Sequence, residues 1–504
     1  MIHFPLLSAI IFWPLAGGLF ALAFWRYPNQ SRWIALSVAS AELLLVVSLL
    51  FFDLHPSGAE GWLLSEDFPW IARFGIRYSL GLDGISLILL FLTALLGVIA
   101  ILASWKQVST QPGVFYFMLL FTQSAVIGVF LATDLFLFYL FWEMQLVPML
   151  FLIGIWGHEK RIYAALKFFL FNIAGGLLML AALIGLYLVH GRQTGDYSFA
   201  LAHLMQTRPG PELGMWLYAA FLLAFAIKIP IFPLHGWLPD AHTEAPTAGS
   251  IILAGLLLKT GAYALLRIAI PLFPAAAHRL MPLLLVLGLV GIVYASLVAL
   301  GQKDMKRLVA YSSVGHMGLI VIALSVWDSL TLSGAVLQMV NHGLTTAALF
   351  IMVGMLDERF HTRTLADFGG LWKSMPMFSG FFLLFAMASL GLPGLNNFVS
   401  EFLILVGVFR AHPVVGSLAF TSIVFTLIYV LKLVQDSLSG PETHRHCRDI
   451  TPRELVILLT LALAVVGLGL YPQPILSLIQ APVQRLVDQA GATAVPGTPS
   501  MTAE

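Results

Sequence analysis

Runs of about twenty apolar residues recur from one end of the chain to the other, divided by short polar connectors. An α-helix needs roughly that length to cross the ~30 Å hydrocarbon core of a bilayer. The pattern predicts fourteen spans, near 4–25, 33–52, 80–103, 114–132, 135–156, 162–189, 214–234, 245–271, 281–301, 305–326, 330–356, 376–410, 414–437 and 454–473. The first run has no basic leader before it and reads as a span rather than a cleaved signal. The largest outer loops, 53–79 and 190–213, are expected to hold no domain of their own, and 474–504 reads as a short polar tail. The fold class expected is therefore an all-α polytopic membrane protein, with a single transmembrane domain over 1–473.

Against this apolar background a few charged positions stand out. Lys167, Lys228, Lys259, Arg267, Lys432, Glu42, Glu143 and Glu401 fall inside spans, with Asp83 and Asp436 nearer span ends. A charge at mid-helix costs roughly 2.5–3.5 kcal/mol on insertion scales, so most of these groups should face a partner or water rather than lipid.

Spans seven and twelve share a second irregularity. Phe225-Ala226 precedes Pro233 by eight residues, and Phe385-Ala386 precedes Pro393 by the same eight. Both helices should break near that proline, which withholds an N–H and cannot continue the helix. Spans four to eight (114–271) and nine to thirteen (281–438) then form two units of five, flanked by 1–113 and by the last span. An odd number of crossings inverts the second unit, the arrangement of transporters whose discontinuous helices meet near the midplane. Lys228 would close the first half of its helix and Glu401 would open the second half of its own. The helix dipole favours a cation and an anion at those respective ends.

Composition agrees with the span pattern. The chain is 59% hydrophobic and 10% charged, with mean hydropathy +0.92 and net charge +1. That balance gives no electrostatic footprint for nucleic acid. The single Cys447 allows no internal disulfide, and a thiolate-held iron–sulfur cluster, which takes about four cysteines, is excluded. Fourteen Lys and Arg lie in one set of connectors and seven in the opposite set. The richer side is expected to be cytoplasmic, with both termini on the periplasmic side.

Each embedded group has a bland reading beside the chemical one. Glu143, one turn before Pro148, reads either as half of a structural ion pair or as a protonatable relay whose partner is Lys228. Lys259 lies mid-span between Gly255 and Gly261, too far from either end to snorkel easily. His316 and His342 are satisfied core histidines, ligands to a haem, or relay imidazoles between Lys259 and Glu401. The chain of embedded groups favours the relay, since an unperturbed imidazole titrates near neutrality. Lys167, about one turn into span six, either snorkels or stands at a proton entrance. His235, Asp240, His242 and Glu244 read as a wet or capping cluster in the connector after span seven. Arg267 and Lys432 read as structural, the latter with Asp436 at i,i+4.

The stretch KIPIFPLHGWLPDAHTEAPTAGSIILAGLLLKTGAYALLR at 228–267 resembles the antiporter-like membrane subunits of respiratory complex I. LATDLFLFYLFWE at 131–143, QKDMKRLVAYSSVGHMG at 302–318, MVNHGLTTAALFIMVGML at 339–356 and NNFVSEF at 396–402 agree with it. Within that family the chain is most similar to the M-type branch. Glu401 stands where the L and N types carry lysine, no long lateral helix follows span fourteen, and DFPWIARFGIRYSLGLDGISL at 67–87 matches. The D subunit of Mrp sodium/proton antiporters shares the span-twelve glutamate.

The resemblance implies an ion pair of Glu143 with Lys228, Lys259 as central proton carrier, His316 and His342 as connectors, and Glu401 as the terminal group. It implies proton pumping driven by quinone reduction in a bacterial inner membrane. NADH, FMN, iron–sulfur clusters and quinone are then expected in partner subunits and no cofactor in this chain. Its neighbours would be the L and N subunits and membrane lipid.

Overall fold

A computed structural model describes residues 5–52, 61–443 and 448–493. Cys447 lies outside the described residues. Thirteen helices among the described residues are long and apolar enough to cross a membrane. The twelfth expected span is two shorter helices, Pro376–Leu390 and Asn396–Ala411. Span seven stops at Lys228, and its connector folds into a further short helix, Trp237–Glu244. Both breaks fall where the prolines were expected to put them.

Polar residues at the span ends serve mainly as caps. Asp83 accepts from the Ser86 N–H, Asp134 from Phe136 and Leu137, Asp304 from Lys306 and Arg307, and Asp328 from Thr331. Each satisfies N–H groups that the first helical turn leaves without a partner. Thr451 and Glu454 form a reciprocal capping box on the last span.

Burial is uneven across the bundle. Spans eight (Thr247–Leu272) and eleven (Ser329–Phe360) are buried almost throughout, whereas spans one, two and thirteen leave most of their surface outward. Span eight carries Lys259 and Arg267, and span eleven carries His342. Small residues let those two helices touch: a Cβ on Gly343 would lie 3.1 Å from the Gly255 carbonyl oxygen.

Two stretches depart from the sequence expectation. Residues in the loop given as 53–79 form a hairpin, Leu64–Ile71 paired antiparallel with Ile76–Leu82, in the register Phe68↔Tyr78. The second strand consumes the residues expected to begin span three, whose helix starts at Gly84. The hairpin is pinned by Glu66, which accepts from the N–H groups of Leu7 (2.6 Å) and Ser8 (3.1 Å) at the start of span one. The expected polar tail is also structured, as a helix over Gln473–Thr493. Ile475, Ile479, Val483 and Leu486 bury one stripe of it, and the helix packs on spans three and eleven. Its overall polarity hid that apolar face.

Candidate functional site

Glu143 sits in span five with its carboxylate turned toward span six. A Cβ on Gly176 would lie 1.7 Å from Glu143 Oε1, so only glycine leaves room for the acid there. Lys228, at the end of the first half of span seven, is 1% exposed. Its Nζ lies 4.4 Å from the centre of the Trp142 ring, a cation–π contact. The expected ion pair is not closed. Neither carboxylate oxygen of Glu143 nor Lys228 Nζ has a hydrogen-bond partner, although the two charges act on one another through space. The carboxylate occupies the notch at Gly176, while the ammonium lies over the Trp142 ring.

Lys259 is completely buried. It stands on the α-helical turns Leu258–Ala264 between two π-helical segments, Leu253–Leu257 and Leu265–Ala269. A π segment disturbs the regular pairing of its carbonyls, and the Ala254 carbonyl accepts from Lys259 Nζ. The same ammonium meets His342 Nδ1 at 2.8 Å. Gly261, on the same turns, would put a Cβ 3.0 Å from Lys228 Cβ, which seats span eight directly against the break of span seven.

From His342 the line continues to span ten. The His342 and His316 rings lie 5.5 Å apart, centre to centre, and His316 Nδ1 stands 3.3 Å from Glu401 Oε1. Nε2 of each ring is buried without a hydrogen-bond partner. The structure thus brings Lys259, His342, His316 and Glu401 into one row, with Glu143 and Lys228 beside its inner end. Glu401 is held from both sides. Gln338 Nε2 donates to its Oε1 at 3.3 Å, and a Cβ on Gly391, at φ +79°, would come within 2.7 Å of its Oε2. A small cavity lined by His316, Glu401, Ser296, Ser422, Thr426 and Tyr429 opens beside the carboxylate.

Several polar residues here escaped sequence reasoning. Asn341 Nδ2 donates to the Asn396 carbonyl (2.7 Å) and to Ser400 Oγ (2.9 Å), and Asn396 Nδ2 returns a bond to the Asn341 carbonyl (3.1 Å). Thr345 Oγ1 and the Asn396 side chain lie 3.2 Å apart, and Ser400 Oγ donates to Gln338. This lattice clamps the broken start of the second half of span twelve to span eleven. The signal was present in the spacing, because Gln338, Asn341, His342 and Thr345 occupy one helical face.

The connector after span seven divides into two roles. Asp240 binds Lys167 Nζ at 2.7 Å and Arg307 Nη1 at 3.3 Å, which holds Lys167 at the connector and apart from the row. Glu244 accepts from the Lys160 N–H at 2.8 Å, just before the start of span six. His242 is not wet. It is fully buried and stacks on Phe350, ring centres 4.6 Å apart. Burial, reinforced by Lys306 and Lys259, holds its imidazole well below the usual histidine range. Lys306 is buried in the first turn of span ten and donates to the Ala245 carbonyl.

The remaining charges are structural. Glu42 accepts from Gln123 Nε2 at 2.6 Å. Lys432 is exposed and reaches the Leu300 carbonyl (3.1 Å) rather than Asp436. Arg267 does not snorkel. It pairs with Asp83 under the Trp62 ring, whose centre is 4.8 Å away. Replacing Asp83 with alanine strands a buried guanidinium, and breaking a buried pair from one side costs about 3–5 kcal/mol. A lowered melting temperature and poor assembly are expected for Asp83→Ala, with most of the loss recovered in Asp83→Ala/Arg267→Met. An unchanged melting temperature in the single variant would contradict the pairing.

The fold and this row of charges define a class of proton-handling membrane subunit, and the comparisons place the chain within it. Residues 132–426 match the family described as NADH:quinone oxidoreductase/Mrp antiporter, TM. The chain belongs to that family. It is 45% identical over 505 residues to NADH-quinone oxidoreductase subunit M of Pseudomonas aeruginosa, covering 97% of this chain and 98% of the relative. It superposes on a chain of respiratory complex I from Thermus thermophilus with TM-score 0.88 at 30% identity, covering 96% of this chain and all of that one. A chain of the Mrp complex of a Dietzia species shares the fold, with TM-score 0.81 at 21% identity, but only 55% of its length is matched.

Proposed function

We propose that this chain is a proton-translocating membrane-arm subunit of an NADH:quinone oxidoreductase in a bacterial inner membrane. Protons move along Lys259, His342, His316 and Glu401 under control of Glu143 and Lys228. The observation that carries the reading is the contact series Lys259 Nζ–His342 Nδ1 at 2.8 Å and His316 Nδ1–Glu401 Oε1 at 3.3 Å, buried across spans eight, ten, eleven and twelve. Close proton-exchanging groups of different type pass a proton without an ion crossing hydrocarbon.

Electrostatic switching drives the row. When Glu143 moves off Lys228, the uncompensated ammonium repels a proton on Lys259, across the close contact with Gly261. That proton leaves toward Glu401 through the imidazoles. Each charge moved outward against 100 mV costs about 2.3 kcal/mol. A two-unit change in pKa is worth about 2.7 kcal/mol, so one displaced charge suffices. Lys167, held by Asp240, bounds the Lys/Arg-rich side as an anchor.

The redox cofactors (NADH, FMN, iron–sulfur clusters and quinone) belong to partner subunits in this reading. The chain lies between the L and N antiporter-like subunits, with both termini periplasmic. Subunit identity near 45% to chains of one named subunit favours this over the Mrp antiporter. Affinity purification through this chain tests the assignment. Peripheral iron–sulfur subunits should co-purify, and proton uptake by vesicles should require NADH. Sodium-driven proton flux without electron transfer would overturn it.

A further inference from the structure

We propose that His190, Asp196 and His203 form a Zn²⁺ site at the outer end of span six, on the face opposite the Lys/Arg-rich connectors. None of the three belongs to the buried row. One ligand atom from each lies within 4.8 Å of the others.

The local backbone converges these three side chains. His190 is in the last turns of the helix Arg161–Thr194 and is 3% exposed. Gly195, at φ +79°, ends that helix in a left-handed turn that side chains resist, and it reverses the chain so that Asp196 returns toward His190. Thr194 Oγ1 fixes the reversal by accepting from the Asp196 N–H at 3.1 Å and donating to the His190 carbonyl at 2.9 Å. His203 follows on the short helix Leu201–Leu204, its ring 6.3 Å from that of His190 and only 22° from parallel.

Each imidazole is also oriented by a hydroxyl, and His203 Nδ1 lies 3.8 Å from Asp196 Oδ2. His190 Nδ1 contacts Thr207 Oγ1 at 2.9 Å, and His203 Nδ1 contacts Ser198 Oγ at 3.0 Å. Thr207 and Ser198 are themselves buried. A hydroxyl that accepts from one ring nitrogen leaves the other with a free lone pair. Outer-shell partners orient metal-binding histidines in this way.

The donor set selects the ion. Two imidazoles and a carboxylate suit a first-row divalent metal over Mg²⁺ or Ca²⁺, which take oxygen ligands. Three protein ligands with water in the fourth position is a common Zn²⁺ arrangement, with metal–ligand distances of about 2.0–2.2 Å. Closing on the ion requires a contraction that Asp196 and His203 can make, because their side chains are 69% and 50% exposed.

Occupancy ties the outer end of span six to the loop that pairs with the start of span five. Leu135 N–H donates to Phe199 O and Leu201 N–H to Thr133 O, each at 2.9 Å. The metal therefore acts as a staple on the two spans that enclose Glu143.

Equilibrium dialysis of the chelator-treated full complex against micromolar Zn²⁺, with metal counted by mass spectrometry, tests the site. The wild type should take up one equivalent more than His203→Ala, and Asp196→Ala should bind that equivalent at least tenfold more weakly. Zn²⁺ should also slow hydrogen exchange over residues 196–205 in the wild type alone. Equal Zn²⁺ uptake by wild type and His203→Ala at every concentration, or exchange in that loop unaffected by Zn²⁺, would overturn the proposal. Both variants alter exposed side chains, so assembly should be retained, as the subunit content of the same preparations will show.

Discussion

Complex assembled with Lys259→Met is expected to lose at least tenfold in NADH-driven proton uptake by vesicles. Methionine is close to lysine in length and fills the same space, so packing around Gly255 and Gly261 should change little. What disappears is the donor to His342 Nδ1 and to the Ala254 carbonyl. Leaving that buried carbonyl without its donor costs about 1–3 kcal/mol, which the assembled complex should tolerate. The His342 imidazole then has no group from which to take a proton, and the row is cut at its first step. Quinone reduction coupled to pumping should slow with it. Normal proton uptake in a fully assembled Lys259→Met complex would mean that the subunit only joins its neighbours.

A second large loss is expected for Glu143→Ala. Lys228 keeps its contact with the Trp142 ring but has no anion with which to alternate. Its charge becomes constant and the drive on Lys259 is lost. An independent way to stop the alternation leaves the acid intact. Gly176→Ala places a methyl group where Glu143 Oε1 now lies, which forces the carboxylate out of its notch. The two variants should show similar losses of proton uptake. Gly154→Ala, whose new Cβ would make only an ordinary 3.6 Å contact with Ala165, should show none.

Most of the architecture was legible because a bilayer imposes a length and an apolar composition on every span. The two breaks were legible through Pro233 and Pro393, and the charged positions through the cost of burying them. Contact between particular atoms was not. The alternation in Leu64–Leu82 was too short to compete with the neighbouring apolar run, and the stripe of Ile475, Ile479, Val483 and Leu486 was masked by the polar residues around it.

Within the site, sequence reasoning found the members of the row but not their state. The open arrangement of Glu143 and Lys228 depends on a notch at Gly176 and an indole at Trp142, which lie on different sides of the pair. The π-helical segments around Lys259 leave no proline or glycine signature strong enough to read. The lattice of Gln338, Asn341, Thr345, Asn396 and Ser400 was missed for another reason. Polar amides in a span cost less than charges and attract less notice, yet they lock the break beside Glu401. Arg267 was read as structural, but its partner, Asp83, could not be named because it is brought to it from a distant span.

In the proposed mechanism the Glu143–Lys228 pair controls the protons crossing this chain. The most direct test is the ratio of protons pumped to electrons transferred, measured in proteoliposomes containing fully assembled Glu143→Ala complex. A ratio below that of the wild type is expected, with every subunit present. A ratio equal to the wild type, with assembly intact, would contradict it.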